Sequence, residues 1–179
     1  MIRQRSLYDQ PNSFGWISIA LHWTTAVAVV ALWFVGKSIL WVPTEEIDQR
    51  RSLHITIGLI AWLPLAARIV WRVRNKHPQA TGQSLKEHHV ARFAHTLMLI
   101  LLTLMILSGP LMAWFLPDRT ALTNLALVIH SNCANVLMVL IVIHVAGALK
   151  HLMFDDDETI ARIFVPRKTM AKPQSEEII

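Results

Sequence analysis

Five histidines lie in or at the edge of long apolar stretches: His22, His54, His95, His130 and His144. Ionisable side chains are rare at such positions in membrane proteins and mark functional sites there. His130 and His144 share one segment, Ala121 to Phe154, and stand fourteen residues apart. An α-helix rises about 1.5 Å per residue, so the two rings are roughly 21 Å apart along the axis. Fourteen steps of about 100° return to within roughly 40° of the starting direction, so both leave on nearly one face. A hydrocarbon core is about 30 Å thick. Two imidazoles on one face, each near its own membrane surface, suit two stacked cofactors. Haem iron takes histidine as an axial ligand, and a ring held from both sides needs two.

Depth sorts the five. His22 lies six residues past Trp16, and His144 six residues before Lys150. Both are then roughly 9 Å inside the same face. His54 follows Arg51 by three residues, and His130 is a few residues into its segment from that same, opposite face. The spacing therefore pairs His22 with His144 and His54 with His130, each pair drawn from two helices. Four residues after each comes a small side chain: Ala26, Gly58, Ala134 and Ala148. One turn along, such a residue leaves room for a flat porphyrin, although small residues are also common where membrane helices meet. His95 enters its helix about one turn past Arg92. It is an alternative partner for His144, with His22 preferred on depth. Its other readings are a contact to a quinone, a hydrogen bond to a haem propionate, or a satisfied interfacial histidine. Arg50, Arg51, Arg92 and Lys150 read as propionate partners or as snorkelling boundary residues.

The elements that carry these residues account for the composition. The chain has 179 residues, 54% hydrophobic and 16% charged, with a mean hydropathy of +0.43. Four apolar stretches run from Trp16 to Leu40, Leu53 to Trp71, Phe93 to Phe115 and Leu122 to Leu149. Each is long enough to cross a bilayer as a helix. A soluble four-helix bundle would need polar outer faces, and Leu97 to Leu107 has almost none. The expected fold is all-α: an integral membrane four-helix bundle binding two b-type haems. The first stretch follows Arg3 and Arg5 but is long for a signal sequence and lacks a small-residue cleavage site, so it reads as a retained helix. The expected division is a cytoplasmic N-terminal segment 1–14, a transmembrane di-haem domain 15–154 and a cytoplasmic tail 155–179.

Thirteen of the 17 Lys and Arg fall at the N-terminus, in the loop between the second and third stretches with its flanks (Arg68 included), or after the fourth. Lys37, Arg50, Arg51 and Arg119 fall on the other side. This bias predicts that both termini are cytoplasmic. The net charge of +5 is thereby explained by topology rather than by nucleic-acid binding. Trp16 and Trp71 on one boundary, and Trp41 and Trp114 on the other, suit interfacial anchors. The one cysteine, Cys133, excludes an internal disulfide and a Cys-x-x-Cys-His attachment, so any haem is noncovalent and b-type. His77, His88, His89 and His151 read as solvated residues at loops and helix ends. The tail reads as a short helix with a frayed end.

Several motifs carry a family resemblance: Ile19-Ala20-Leu21-His22-Trp23, Leu53-His54-Ile55-Thr56-Ile57-Gly58, Arg92-Phe93-Ala94-His95, His130-Ser131-Asn132-Cys133-Ala134-Asn135 and His144-Val145-Ala146-Gly147-Ala148. From Gly15 to Pro166 the chain resembles the bacterial cytochrome b561 family of four-helix di-haem proteins of the inner membrane. The resemblance implies His22, His54, His130 and His144 as axial ligands. It further implies an oxidoreductase like the superoxide oxidases, taking electrons from periplasmic superoxide and passing them to ubiquinone. Arg50 and Arg51 beside His54 would attract the superoxide anion, or serve as anchors partly neutralised by Glu45, Glu46 and Asp48. The alternative is a cytochrome b membrane-anchor subunit fed by a periplasmic dehydrogenase or hydrogenase. A transporter using buried histidines for metal or protons is a third class. The split into depth-matched pairs and the lack of carboxylates inside the spans argue against it.

Overall fold

The computed structural model describes residues 6–11, 13–75, 78, 85–115, 120–154 and 161–166, with residues 85–87, 151 and 154 by backbone only. Four long α-helices follow in order: α1 Trp16–Ser38, α2 Ile47–Arg74, α3 Leu85–Phe115 and α4 Ala121–Phe154. One-turn 3-10 helices occupy Thr44–Glu46 and Ala161–Ile163. No β-strand occurs among the described residues, apart from a single bridge between Gln10 and Ser13. All four helices are long and apolar enough to cross a membrane.

Three helices run past their apolar stretches. α2 begins at Ile47 and ends at Arg74, α3 begins at Leu85, and α4 continues to Phe154. Backbone hydrogen bonding continues at the polar ends, where basic side chains reach toward water. The C-terminal segment expected as a short helix is described only at 161–166.

The outward surface is apolar: Leu59, Ile60 and Leu63 of α2 and Val139, Val142 and Ile143 of α4 are each more than half exposed. Such a surface suits the hydrocarbon that helices of this length and composition can cross. The interior core is small. Ala61, Leu65 and Leu102 are buried and packed by Ala28, Val29, Leu32, Ile69 and Ile106. α1 packs along α2, α3 along α4 and α2 along α3, whereas α1 approaches α4 sparsely.

Local chemistry fixes the helices. α4 starts where the Thr120 hydroxyl oxygen accepts the Thr123 backbone N–H at 3.2 Å, satisfying one of the orphan donors of the first turn. Pro110 inside α3 has no N–H, which leaves the Ile106 carbonyl without its helical donor. Trp62 Nε1 of α2 donates to that carbonyl at 3.0 Å, so the proline's defect becomes a tie between helices. α1 is capped from outside its own turn. The Asp9 carboxylate accepts the Gly15 N–H at 2.8 Å and the Ser18 hydroxyl at 2.8 Å, placing negative charge at a helix N-terminus. A Cβ at Gly15 would overlap the Leu7 carbonyl and the Tyr8 backbone, so this fold-back needs glycine.

Candidate functional site

The five histidines gather into two clusters at different depths. His54 of α2 and His130 of α4 face each other with ring centroids 6.2 Å apart and planes at 86°. His22 of α1 and His144 of α4 are 6.5 Å apart at 63°. His95 of α3 joins the second cluster, its centroid 5.0 Å from that of His144. The pairing read from depth is thus the pairing of rings in space, with His95 as a third ring beside His144.

These distances discriminate between ring pairs. With metal–imidazole bonds of about 2 Å and ring centres about 1.1 Å behind the ligating nitrogens, two imidazoles across one metal have centroids about 6 Å apart. The His54–His130 and His22–His144 pairs match that separation. His95 lies too close to His144 for the two to ligate one metal from opposite sides. Among the described residues no cluster of three or more His, Cys, Asp or Glu is arranged to hold a bare metal ion. Two-sided ligation of a haem iron fits this donor set; a protein-only metal cage does not.

Both pairs tie α4 to α1 or α2, while the close helix packings are α1 with α2, α2 with α3 and α3 with α4. The histidines therefore join helices whose backbones approach only sparsely. Ala26, Ala134 and Ala148 are each partly buried, and a Cβ at Gly58 would meet only Leu32 at 3.8 Å.

Two further glycines set the imidazoles, and the sequence reading missed them. A Cβ at Gly36 would lie 3.1 Å from Cε1 of His54, and one at Gly109 3.3 Å from Cε1 of His130. Each outer histidine is thus seated against a glycine of a neighbouring helix. The available signal was an isolated glycine in an apolar helix, which marks close approach.

Ser108 was missed as well. A hydroxyl carries one proton, and Ser108 gives it to the Leu104 carbonyl at 2.6 Å. Its oxygen therefore accepts from Nδ1–H of His130 at 3.0 Å. That leaves the lone pair on Nε2, the nitrogen free to ligate. A hydrogen bond to the non-ligating nitrogen is the usual support for a metal-bound histidine. Nδ1 of His54 is buried without a well-formed hydrogen bond, the Leu32 backbone beside it lying outside good geometry.

The remaining candidates lie further out. Arg51 is ion-paired with Asp48 at 2.7 Å, one turn before it. Arg50 is half-buried and has no ion-pair partner among the described residues. Arg92 and Lys150 are exposed, and Cys133 is partly buried and free. His77 lies outside the described residues, as does the side chain of His151.

Comparison with known proteins identifies the family. Cytochrome b561 homolog 2 of Escherichia coli (strain K12) is 29% identical over 180 residues, covering 88% of this chain and 94% of that protein. Cytochrome b561 homolog 1 of the same organism is 24% identical over 177 residues, covering 88% and 99%. The family model described as prokaryotic cytochrome b561 matches residues 13–166. The chain belongs to the prokaryotic cytochrome b561 family.

Proposed function

We propose that this chain binds two b-type haems, one between each histidine pair, and carries electrons from periplasmic superoxide to ubiquinone. Family membership makes it a multi-pass inner-membrane cytochrome b with an electron-transfer role. The finer reading rests on one observation above others: two imidazole pairs, each at the separation of a two-sided iron ligation, at two depths of one bundle.

His54 and His130 hold the outer group, and His22 and His144 the inner. Bound there, the haems supply reversible one-electron chemistry. The protein contributes low dielectric, fixed axial ligands and orientation. Overall, two superoxide anions give up one electron each and leave as dioxygen, while ubiquinone takes two electrons and two protons to become ubiquinol. Arg50 stands four residues before His54, has no ion-pair partner among the described residues, and carries positive charge that draws superoxide to this end; Arg51 shares its charge with Asp48. His95, its ring 5.0 Å from that of His144, is the residue this reading assigns to a quinone contact. The bias of Lys and Arg supports cytoplasmic termini, which makes the His54–His130 end periplasmic. On this reading the haem domain is 15–154, between cytoplasmic segments 1–14 and 155–179.

The test is haem reduction during enzymatic superoxide generation, with and without superoxide dismutase, in the starting protein and in Arg50→Gln. Reduction that dismutase blocks, and that slows in the variant most clearly at low ionic strength, supports the reading. Reduction indifferent to dismutase rejects superoxide as donor and favours a cytochrome subunit fed by a periplasmic partner enzyme.

A further inference from the structure

Arg68, Arg72 and the Asp9 carboxylate meet at the inner end of the bundle, where Arg162 also lies against the Phe14 ring that Arg72 covers. Arg68 lies on α2 fourteen residues after His54, the same spacing that joins the two histidines of α4. It therefore faces inward at the depth of His22. Its two contacts are both long: Nη1 to the Ser18 carbonyl at 3.4 Å and Nη2 to Nδ1 of His22 at 3.4 Å. Arg72, one turn on, has a side chain only 14% exposed and reaches Asp9 at 3.9 Å. Its Nη1 is buried without a hydrogen bond. Asp9 is meanwhile engaged by Gly15 and Ser18, and Ser18 also accepts Trp71 Nε1 at 2.7 Å.

Among the described residues the charges around Arg68 and Arg72 do not balance. Among the described residues Asp9 is the one carboxylate in contact with either arginine, so a positive charge is left over. A buried cation at the edge of hydrocarbon is costly unless an anion and its hydrogen bonds complete it. The Arg68–His22 contact has the same implication. A guanidinium only donates, so Nδ1 of His22 must present its lone pair to Arg68 and carry the ring proton on Nε2. Ligation through Nε2 needs the opposite tautomer, and Arg68 must then turn to another acceptor.

Resting on the proposed inner haem between His22 and His144, we propose that Arg68 and Arg72 form a carboxylate receptor for its propionate side chains. A guanidinium fork matches a carboxylate in two-point geometry. Engaging the propionates would satisfy Arg72, balance the surplus charge and release His22 to ligate. The sequence reading offered Arg50, Arg51, Arg92 and Lys150 as propionate partners or as snorkelling boundary residues. Of these, Arg92 and Lys150 stand near the inner end and are exposed to solvent, where ion pairs are weak.

The direct probe is haem whose propionates are esterified. Full-length apoprotein in neutral-lipid nanodiscs is titrated with protohaem or with its dimethyl ester, and the inner site is followed in a His130→Ala background. The receptor predicts about tenfold or greater preference for the free acid. That preference should fall to near parity in Arg68→Gln/Arg72→Gln and largely survive in Arg68→Lys. In the holoprotein, Arg68→Gln should lower the reduction potential of the inner haem, because removing a nearby cation destabilises the reduced, more electron-rich form. Equal uptake of acid and ester by the unmutated arginine pair overturns the receptor. So does a preference that persists in the double variant, or one abolished by adding phosphatidylglycerol, which would assign the pair to a lipid phosphate. His144→Ala separates this from the underlying reading: if it loses the inner haem while acid and ester bind alike, only the receptor fails.

Discussion

Ser108 of α3 and His130 of α4 share a 3.0 Å hydrogen bond whose direction is fixed by the 2.6 Å bond from the same hydroxyl to the Leu104 carbonyl. The serine acts as acceptor, so the histidine ring is held in one tautomer and one orientation. Partners of this kind typically change cofactor affinity by about 10–100-fold when removed. Ser108→Ala should weaken the outer haem within that range and leave the inner one in place, whereas Ser108→Thr should retain most of it. Haem release to an apo-globin acceptor, resolved for the two haems, checks this. Equal loosening of both haems would show a general packing defect instead.

His22 and His95 make opposite predictions. The 6.5 Å separation of His22 from His144 suits ligands across one iron, and the 5.0 Å separation of His95 does not. His22→Ala should cost the inner haem. His95→Ala should keep both haems, both low-spin, and lower the rate of electron delivery to quinone. Visible and low-temperature resonance spectra of the two variants decide. If His95→Ala loses a haem and His22→Ala keeps both, the helix α1 ligand is misassigned.

Gly36 and Gly109 crowd the outer imidazoles, while Gly147 has nothing within 4 Å of an added Cβ. Overpacking in a fixed interior costs about 1–3 kcal/mol. Gly36→Ala and Gly109→Ala should therefore perturb the outer haem's spectrum and lower thermal stability. Gly147→Ala should be neutral or gain up to about 1 kcal/mol from helix propensity. Thermal melts of the three variants in one detergent provide the comparison.

The Trp62–Ile106 tie exists because Pro110 frees a carbonyl. Trp62→Phe should cost about 1 kcal/mol, the scale of interhelical hydrogen bonds in membranes. In Pro110→Ala the new N–H can reclaim that carbonyl, so the cost of Trp62→Phe should shrink. A double-mutant cycle on unfolding free energy measures the coupling. Additive costs would mean that the two residues act independently.

The four helices were legible because each apolar stretch already has the length a bilayer demands, and hydrocarbon leaves a backbone little alternative to helix. Which rings face each other was legible because helical rise converts residue number into depth; His22 and His144 lie six residues from their respective boundaries. The ends were not legible. Arg72 and Arg74 read as loop yet continue α2, since polarity marks contact with water, not the end of hydrogen bonding. The roles of Ser108, Gly36 and Gly109 could not be assigned for another reason, although an isolated glycine in an apolar helix is itself a signal of close approach. Their roles depend on which helices lie side by side, and apolar periodicity carries no such pairing information. Arg68 was counted with the loop's basic flank, although its fourteen-residue spacing from His54 was already present in the sequence.

The central claim is that two histidine pairs hold two haems. The measurement that reaches it most directly is haem per chain by pyridine haemochrome assay, against protein by amino-acid analysis, in the starting protein, His130→Ala and His144→Ala. The expected values are about two in the first and about one in each variant, with a different haem lost in each. A single haem in the starting protein, or the same haem lost in both variants, would contradict the account.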